Sequence, residues 1–263
     1  MSDGAGSSSP PPGEVTTEDF FLDGRVRLRQ PRDGYRAAID PVFLAAAIPA
    51  KAGEAVLDIG CGAGAAALCL AARVTGCRVT GIEADRALVR LAADNAAHNG
   101  LSGRVMILAG DLTRPPQRLE PDSFAHVMAN PPYLPAGSVT PSPLQAKARA
   151  TIEGEADLAA WLRFALVMTR GKGTITFIHR ADRLEQLLAL LSGRAGDITV
   201  FPLWSGAGKD AKRVIVRARK GIASPTRLAS GLVLHEADGR YTEAADSVLR
   251  HGAPLSLGIP HDV

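Results

Sequence analysis

Two stretches of this chain combine residue types and spacings that can do chemistry. The first is Asn130-Pro131-Pro132-Tyr133, which follows the apolar run Phe124-Ala125-His126-Val127-Met128-Ala129. Proline lacks an N–H and pushes the residue before it out of the helical region, so the chain must stop and turn here. The turn presents an amide side chain, carbonyls and an aromatic ring. Such groups accept hydrogen bonds from a planar exocyclic amine and stack on a flat ring. A rigid loop at a strand end would use the same residues, and the tripeptide alone does not separate the two readings.

The second stretch is a glycine turn. Ala55-Val56-Leu57-Asp58-Ile59 reads as a buried strand, Gly60-Cys61-Gly62-Ala63-Gly64 as a tight turn, and Ala65 to Ala72 as a helix rich in Ala and Leu. Glycines at alternate positions let the backbone turn sharply and let a ligand approach the main chain. Arg78-Val79-Thr80-Gly81-Ile82-Glu83 then reads as a second strand. It ends in a carboxylate about 20 residues after the glycines, the distance at which an acidic residue meets ribose hydroxyls.

The elements around these stretches bring further groups to the same edge. Asp85 caps a helix running to about Asn99, and Gly100 ends it. The strand Arg104–Ala109 leads to Gly110-Asp111, and strand carboxyl ends are where open parallel sheets bind ligands. Upstream, residues 18–30 read as a hairpin turning at Asp23-Gly24, and Val42–Ala47 as a helix with Asp40 as N-cap and Pro41 at its first position. Downstream, residues 134–152 read as a substrate loop, Ala156–Thr169 as a helix, and Gly171-Lys172-Gly173 as a turn into the strand Thr174–His179. A helix Ala181–Leu191 follows, then an antiparallel pair Ile198–Leu203 and Lys212–Arg219, a short strand at Leu232–Leu234, a turn at Asp238-Gly239 and a helix from about Thr242 to Leu249. The fold class is therefore α/β with a mostly parallel sheet. Residues 1–17 are expected to be a disordered tail, 18–250 a single domain with a short N-terminal hairpin and helix, and 251–263 a C-terminal tail.

Composition sets broader bounds. The 263 residues carry 30 Lys+Arg against 27 Asp+Glu, a net +3, so overall charge says little about partners. Charge is clustered, however, at Arg25, Arg27, Arg29, Arg32 and Arg36, and again at Lys209, Lys212, Arg213, Arg217, Arg219 and Lys220. Cys61, Cys69 and Cys77 form no CxxC pair, which argues against a disulfide framework or zinc site and for a reducing compartment. No apolar run approaches the ~18 residues of a membrane span, so a cytoplasmic location is expected. The six histidines include no ligand-like pair, and no metal is expected; His179, at a strand end, is read as structural.

Taken together, Asp58-Ile59-Gly60-Cys61-Gly62-Ala63-Gly64, Glu83, Asp111 and Asn130-Pro131-Pro132-Tyr133 resemble the class I S-adenosylmethionine-dependent methyltransferases that act on amino or amide nitrogens. Gly34-Tyr35-Arg36-Ala37-Ala38-Ile39-Asp40-Pro41-Val42-Phe43-Leu44 and Leu232–Thr242 are similar, more narrowly, to the bacterial tRNA(Val) adenine-N6 methyltransferases. The resemblance implies a Rossmann-like sheet of seven strands with an antiparallel edge hairpin, and S-adenosylmethionine as cofactor. It implies that Gly60, Cys61, Gly62 and Gly64 bend around the cofactor, with Asp58 holding the loop or the amino group. Glu83, with Ala84 beside it, would take the ribose hydroxyls; Asp111 and Leu112 the adenine; and Asp40 the methionine end. Asn130 and the Pro131 carbonyl would accept from the target NH2, Pro132 would fix the turn and Tyr133 would stack on the base. One departure is Ala148-Arg149-Ala150-Thr151-Ile152-Glu153, which stands where the family carries an arginine-histidine-glutamate stretch.

The implied activity is N6-methylation of an adenine in tRNA, in the anticodon loop of a tRNA(Val), because loop bases are already unpaired. The implied partner is RNA, with monomer or homodimer left open. The alternatives are methylation of a protein glutamine amide, methylation of rRNA or DNA adenine, a nicotinamide dehydrogenase, and a binding module that has lost activity. Only about fifty residues precede the first sheet strand, few for the helical substrate domain of the glutamine enzymes. The amide-proline turn counts against a dehydrogenase.

Overall fold

The structure, a computed structural model, describes residues 16–32, 36–112, 115–132 and 158–258. Tyr133, the segment 134–157 and residues 1–15 lie outside the described residues, and with them the expectations placed there. The chain opens with β1 (Thr16–Phe21), β2 (Val26–Pro31) and α1 (Asp40–Ala47). Then come β3 (Ala55–Ile59), α2 (Ala65–Arg73), β4 (Arg78–Glu83), α3 (Arg86–His98), β5 (Val105–Ala109) and β6 (Phe124–Ala129). The second half comprises α4 (Leu158–Met168), β7 (Thr169–Arg180), α5 (Leu184–Leu191), β8 (Ala195–Trp204), β9 (Ala211–Lys220), β10 (Arg227–Leu228), β11 (Leu232–Val233) and α6 (Glu243–His251).

The main sheet runs β5-β4-β3-β6-β7-β9-β8, with the two-residue β10 and β11 both beside β8. Strands β3 to β7 pair in parallel, and β9 runs antiparallel to both its neighbours. The seven long strands are thus mostly parallel, and the hairpin of β8 and β9 closes the sheet with β9 on the inside. Parallel strands covered on both faces should be apolar throughout. Accordingly β6 is buried at all six positions and β3 at four of five. Alternation then divides the core: Val56 faces a layer containing α1 and α2, while Leu57 and Ile59 face α4 and α5. The polar exception in β6 is His126, whose ring nitrogens meet Thr174 Oγ1 at 2.7 Å and Glu54 Oε2 at 3.0 Å. Glu54 directly precedes β3, so this buried cluster lies at the amino edge of the sheet.

Several local features differ from the sequence expectations. The expected turn Gly171-Lys172-Gly173 lies inside β7 as a bulge, where the register with β6 shifts. Lys172 has φ of 64°, and a Cβ on Gly173 would come within 2.7 Å of the Ala125 carbonyl oxygen, so strand pairing continues past the glycines that resemble a turn. The expected helix Ala181–Leu191 begins as a 3-10 turn at Ala181–Arg183. Beyond α6 the chain runs back over α1: Leu255 N donates to Ala46 O at 2.9 Å, and Leu255 and Leu257 are buried.

The β1–β2 hairpin is clamped to the domain by one face of α3. Asn95, 1% exposed, accepts from Arg29 N and donates to Arg29 O and to Ala63 O, at 3.0, 2.9 and 2.9 Å. One turn later Asn99 makes the same pair of bonds to Arg27 N and O. Removing a buried side chain that serves three backbone groups strands polar atoms away from water. Asn95→Ala is therefore expected to lower unfolding free energy by about 1–3 kcal/mol. Asn99→Ala, where water can replace the lost bonds, should cost less; urea denaturation of the two variants checks the order.

Candidate active site at the carboxyl edge of the sheet

The parallel registers bring the glycine turn, Glu83, Asp111 and Asn130 to one edge. Ile59 lies opposite Ile82 on one side and Ala129 on the other, and Glu83 lies opposite Ala109. Each strand therefore delivers its next residues at the same level: Gly60 after β3, Ala84 after β4, Asp111 and Leu112 after β5, and Asn130-Pro131-Pro132 after β6. Pro131 is buried and Pro132 exposed.

The glycine turn is built by positive φ angles, at 64°, 56° and 93° for Gly60, Gly62 and Gly64. These positions differ in what they face. A Cβ on Gly60 would run into the Trp161 ring of α4, whereas one on Gly62 would meet nothing within 4 Å. Gly62 therefore presents bare backbone to open space, and its N–H donates to Glu83 Oε2 at 2.9 Å. The other Glu83 oxygen accepts from Asp85 N at 3.0 Å. Cys61 packs its sulfur against Gly81 of β4, where a Cβ would come within 2.7 Å of it. Burial holds the Cys61 thiol well above its usual range, so this cysteine is a spacer in the loop and not a nucleophile.

Asp58 carries the sharpest electrostatic signal. It is 2% exposed, and burial followed by the neighbouring Glu83 charge pushes its carboxyl up to about 8, against the pull of the Ala67 amide. Its Oδ2 is buried without a hydrogen-bond partner. Glu83 is also raised, chiefly by burial, with the Asp85, Gly62 and Ala84 amides opposing. Among the described residues neither acid has an ion-pair partner. Two acids at the ends of adjacent strands with only backbone donors suit a ligand that is cationic and rich in hydroxyls.

Asp40 departs from its expected place. Ile39 is the N-cap residue of α1, with no side-chain cap, and Asp40 is already helical with Pro41 behind it. Its carboxylate is drawn to Arg213 of β9, whose Nε donates at 2.9 Å. Arg213 lies opposite Arg180, the last residue of β7, so Asp40 sits by the same sheet edge, three strands from the glycine turn. His179, buried beside it, accepts at Nδ1 from Arg180 N at 2.9 Å, and burial with the Arg183 charge lowers it to about 4. It is neutral at physiological pH.

Sequence reasoning did not single out Trp161, Asn95 or the Arg213 partnership. Asn95 and Asn99, four apart on one helix face, were a readable signal. Trp161 sits among apolar helix residues, and Arg213 is 173 positions from Asp40, so neither left a local trace.

Residues 38–153 match the family model described as methyltransferase small domain. The tRNA1(Val) (adenine(37)-N6)-methyltransferase of Dickeya chrysanthemi is 29% identical over 245 residues, covering 90% of this chain and 93% of that protein. The protein of the same name from Aeromonas hydrophila is 28% identical over 214 residues, covering 81% and 87%. Among solved structures, a predicted O-methyltransferase of Agrobacterium tumefaciens superposes with a TM-score of 0.67 at 25% identity, covering 82% of this chain and 98% of its own. The tRNA (m1A58) methyltransferase of Aquifex aeolicus shares the fold at a TM-score of 0.54 and 14% identity, with 74% and 73% covered.

The Gly60–Trp161 contact yields a packing test. Gly60→Ala adds a methyl group where the far ring of Trp161 lies and puts a side chain at positive φ, so it should destabilise by about 1–3 kcal/mol. Trp161→Phe removes the colliding ring atoms. In a double-mutant cycle followed by thermal unfolding, the pair should be less destabilised than the sum of the singles.

Proposed function

We propose that this S-adenosylmethionine-dependent methyltransferase methylates N6 of an adenine in tRNA, with an anticodon-loop adenine of a tRNA(Val) as its target. The observation that carries this reading is Asn130-Pro131-Pro132 at the end of β6, one strand from the glycine turn. Similarity to the adenine-N6 enzymes over most of both chains supports the choice of substrate.

The residues present fit the cofactor. The orphaned Asp58 Oδ2 is a buried acceptor suited to an ammonium group. Gly62 leaves room for a ligand against the main chain, and Glu83, with both oxygens held by amides, keeps lone pairs for ribose hydroxyls. Asp111 and Leu112 would hold the adenine, and Asp40, oriented by Arg213, the methionine end. When bound, S-adenosylmethionine supplies a methyl group on a positively charged sulfur that is already a good leaving group.

What the chain must add is orientation and a change in the target amine. An aryl amine's lone pair is delocalised into its ring. Asn130 Oδ1 and the Pro131 carbonyl, accepting its two hydrogens, favour a more pyramidal nitrogen whose lone pair points out of the ring plane. Fixed acceptors at such a site act mainly by positioning and electrostatics. Tyr133, next in sequence, supplies the stacking face in this reading.

Asn130→Ala should lower methyl transfer to transcribed tRNA by about 10²–10³-fold while cofactor affinity stays near that of the parent. Retained transfer would remove the turn from the reaction. A second test uses pH. With its carboxyl raised to about 8, Asp58 is protonated in the free protein at neutral pH and must shed that proton to meet an ammonium group. Affinity for S-adenosylmethionine should therefore rise with pH up to about 7.5, above which the ligand's own amine begins to lose its proton. Glu83 titrates in the same direction, so the comparison with Asp58→Asn isolates Asp58. Stability of the free protein should run the other way. The raised acid stabilises the fold fully below its unfolded value of 3.8 and loses that contribution as pH approaches about 8. Calorimetric titration with the cofactor across pH reads the first trend, and urea denaturation reads the second.

A further inference from the structure

The arginines near the N-terminus divide into two kinds. Arg25 donates to Leu22 O and His251 O, and Arg36 to Thr17 Oγ1 and Asp19 Oδ2, so both are structural ties. Arg27 and Arg29 are exposed at alternate positions of β2, Arg32 is exposed just beyond it, and the side chains of all three lack an ion pair or hydrogen bond among the described residues. Directly across from Arg27 stands Phe20, 60% exposed, with the Arg27 guanidinium 6.0 Å from its ring centroid. The acidic residue on this face, Glu18, approaches His98 Nε2 at 4.0 Å, not the arginine opposite it.

A large aromatic ring left in water is costly, since burying it would gain about 1.5–3 kcal/mol. The surface is also held in place, because Asn95 and Asn99 bond the backbone of Arg29 and Arg27. Asn95 bonds Ala63 of the glycine turn as well, and the chain continues from Arg32 to Asp40 at the sheet's carboxyl edge. A fixed aromatic face beside a row of cations, leading toward the proposed reaction site, is the combination that binds single-stranded nucleic acid: bases stack and phosphates meet the charges. An acidic peptide would use the cations and leave the ring idle.

We propose that the outer face of the β1–β2 hairpin docks a single-stranded stretch of RNA beside the target base, with Phe20 stacking on a base and Arg27, Arg29 and Arg32 meeting phosphates. This rests on the reading that the substrate is RNA.

The test is fluorescence anisotropy with labelled unfractionated tRNA at several salt concentrations, with thermal unfolding and cofactor affinity as controls. Phe20→Ala should weaken binding by roughly 5- to 100-fold with the salt slope unchanged, and Phe20→Trp should restore it. Arg27→Ala and Arg29→Ala should each flatten the slope of log affinity against log salt by about 0.7–0.9. Unchanged tRNA affinity and slope in all three alanine variants would overturn the proposal, as would loss of affinity for a polyglutamate peptide alone. If the parent methylates tRNA while the variants bind it normally, the hairpin proposal falls and the activity stands. If the parent methylates only protein, the activity falls and takes with it the placement of RNA beside a target base, even where the variants lose RNA affinity.

Discussion

Two carboxylates at the ends of neighbouring parallel strands, Asp58 buried and Glu83 half-buried, set the terms for the rest of the structure. Asp58 and Glu83 are held by backbone amides, and among the described residues no lysine or arginine neutralises them. Such an arrangement costs the free protein stability, and their raised titration records that cost. It persists because the glycine turn, the strand register and the packing of Trp161 and Cys61 leave the carboxylates nowhere else to go. In the proposed reading, the ammonium group and ribose hydroxyls of the cofactor would meet these two acids, which have no ion-pair partner among the described residues.

The Asn130 turn, the proposed target side, is arranged on the same edge but by different means. The strand β6 delivers Asn130 at the level of Gly60, and two prolines fix the backbone there. In the proposed reading the sulfonium already activates the methyl group, so the division of labour would be uneven: acids on one side would hold a cation, and neutral acceptors on the other would shape an amine. The cluster of His126, Glu54, Thr174 and Arg170 stays at the opposite, amino edge, away from this chemistry.

Much of this was legible in the sequence because it is local. The strands Ala55–Ile59, Arg78–Glu83 and Phe124–Ala129 announce themselves as apolar runs ending in glycine, acid or asparagine, and they fall where that pattern puts them. Asp85 caps α3 through the Ala87 and Leu88 amides, as its type and place suggest. What was not legible is long-range. Asp40 has the residue type and proline neighbour of an N-cap, but Arg213 offers it a stronger partner from a distant strand. Gly171 and Gly173 flank a lysine as a turn would, but β6 pairs with β7 on both sides of them, at Thr169 and again from Thr174, and this carries the chain through as a bulge. That β9 lies between β7 and β8 follows from packing the whole sheet and from no window of sequence.

The most direct measurement is methyl transfer from labelled S-adenosylmethionine to tRNA, rRNA and cell protein in parallel, with digestion to identify the modified unit. N6-methyladenosine in the tRNA fraction is the result this account predicts. Label in glutamine of protein with none in RNA would contradict it, and would mean that Asn130 and its prolines grip an amide.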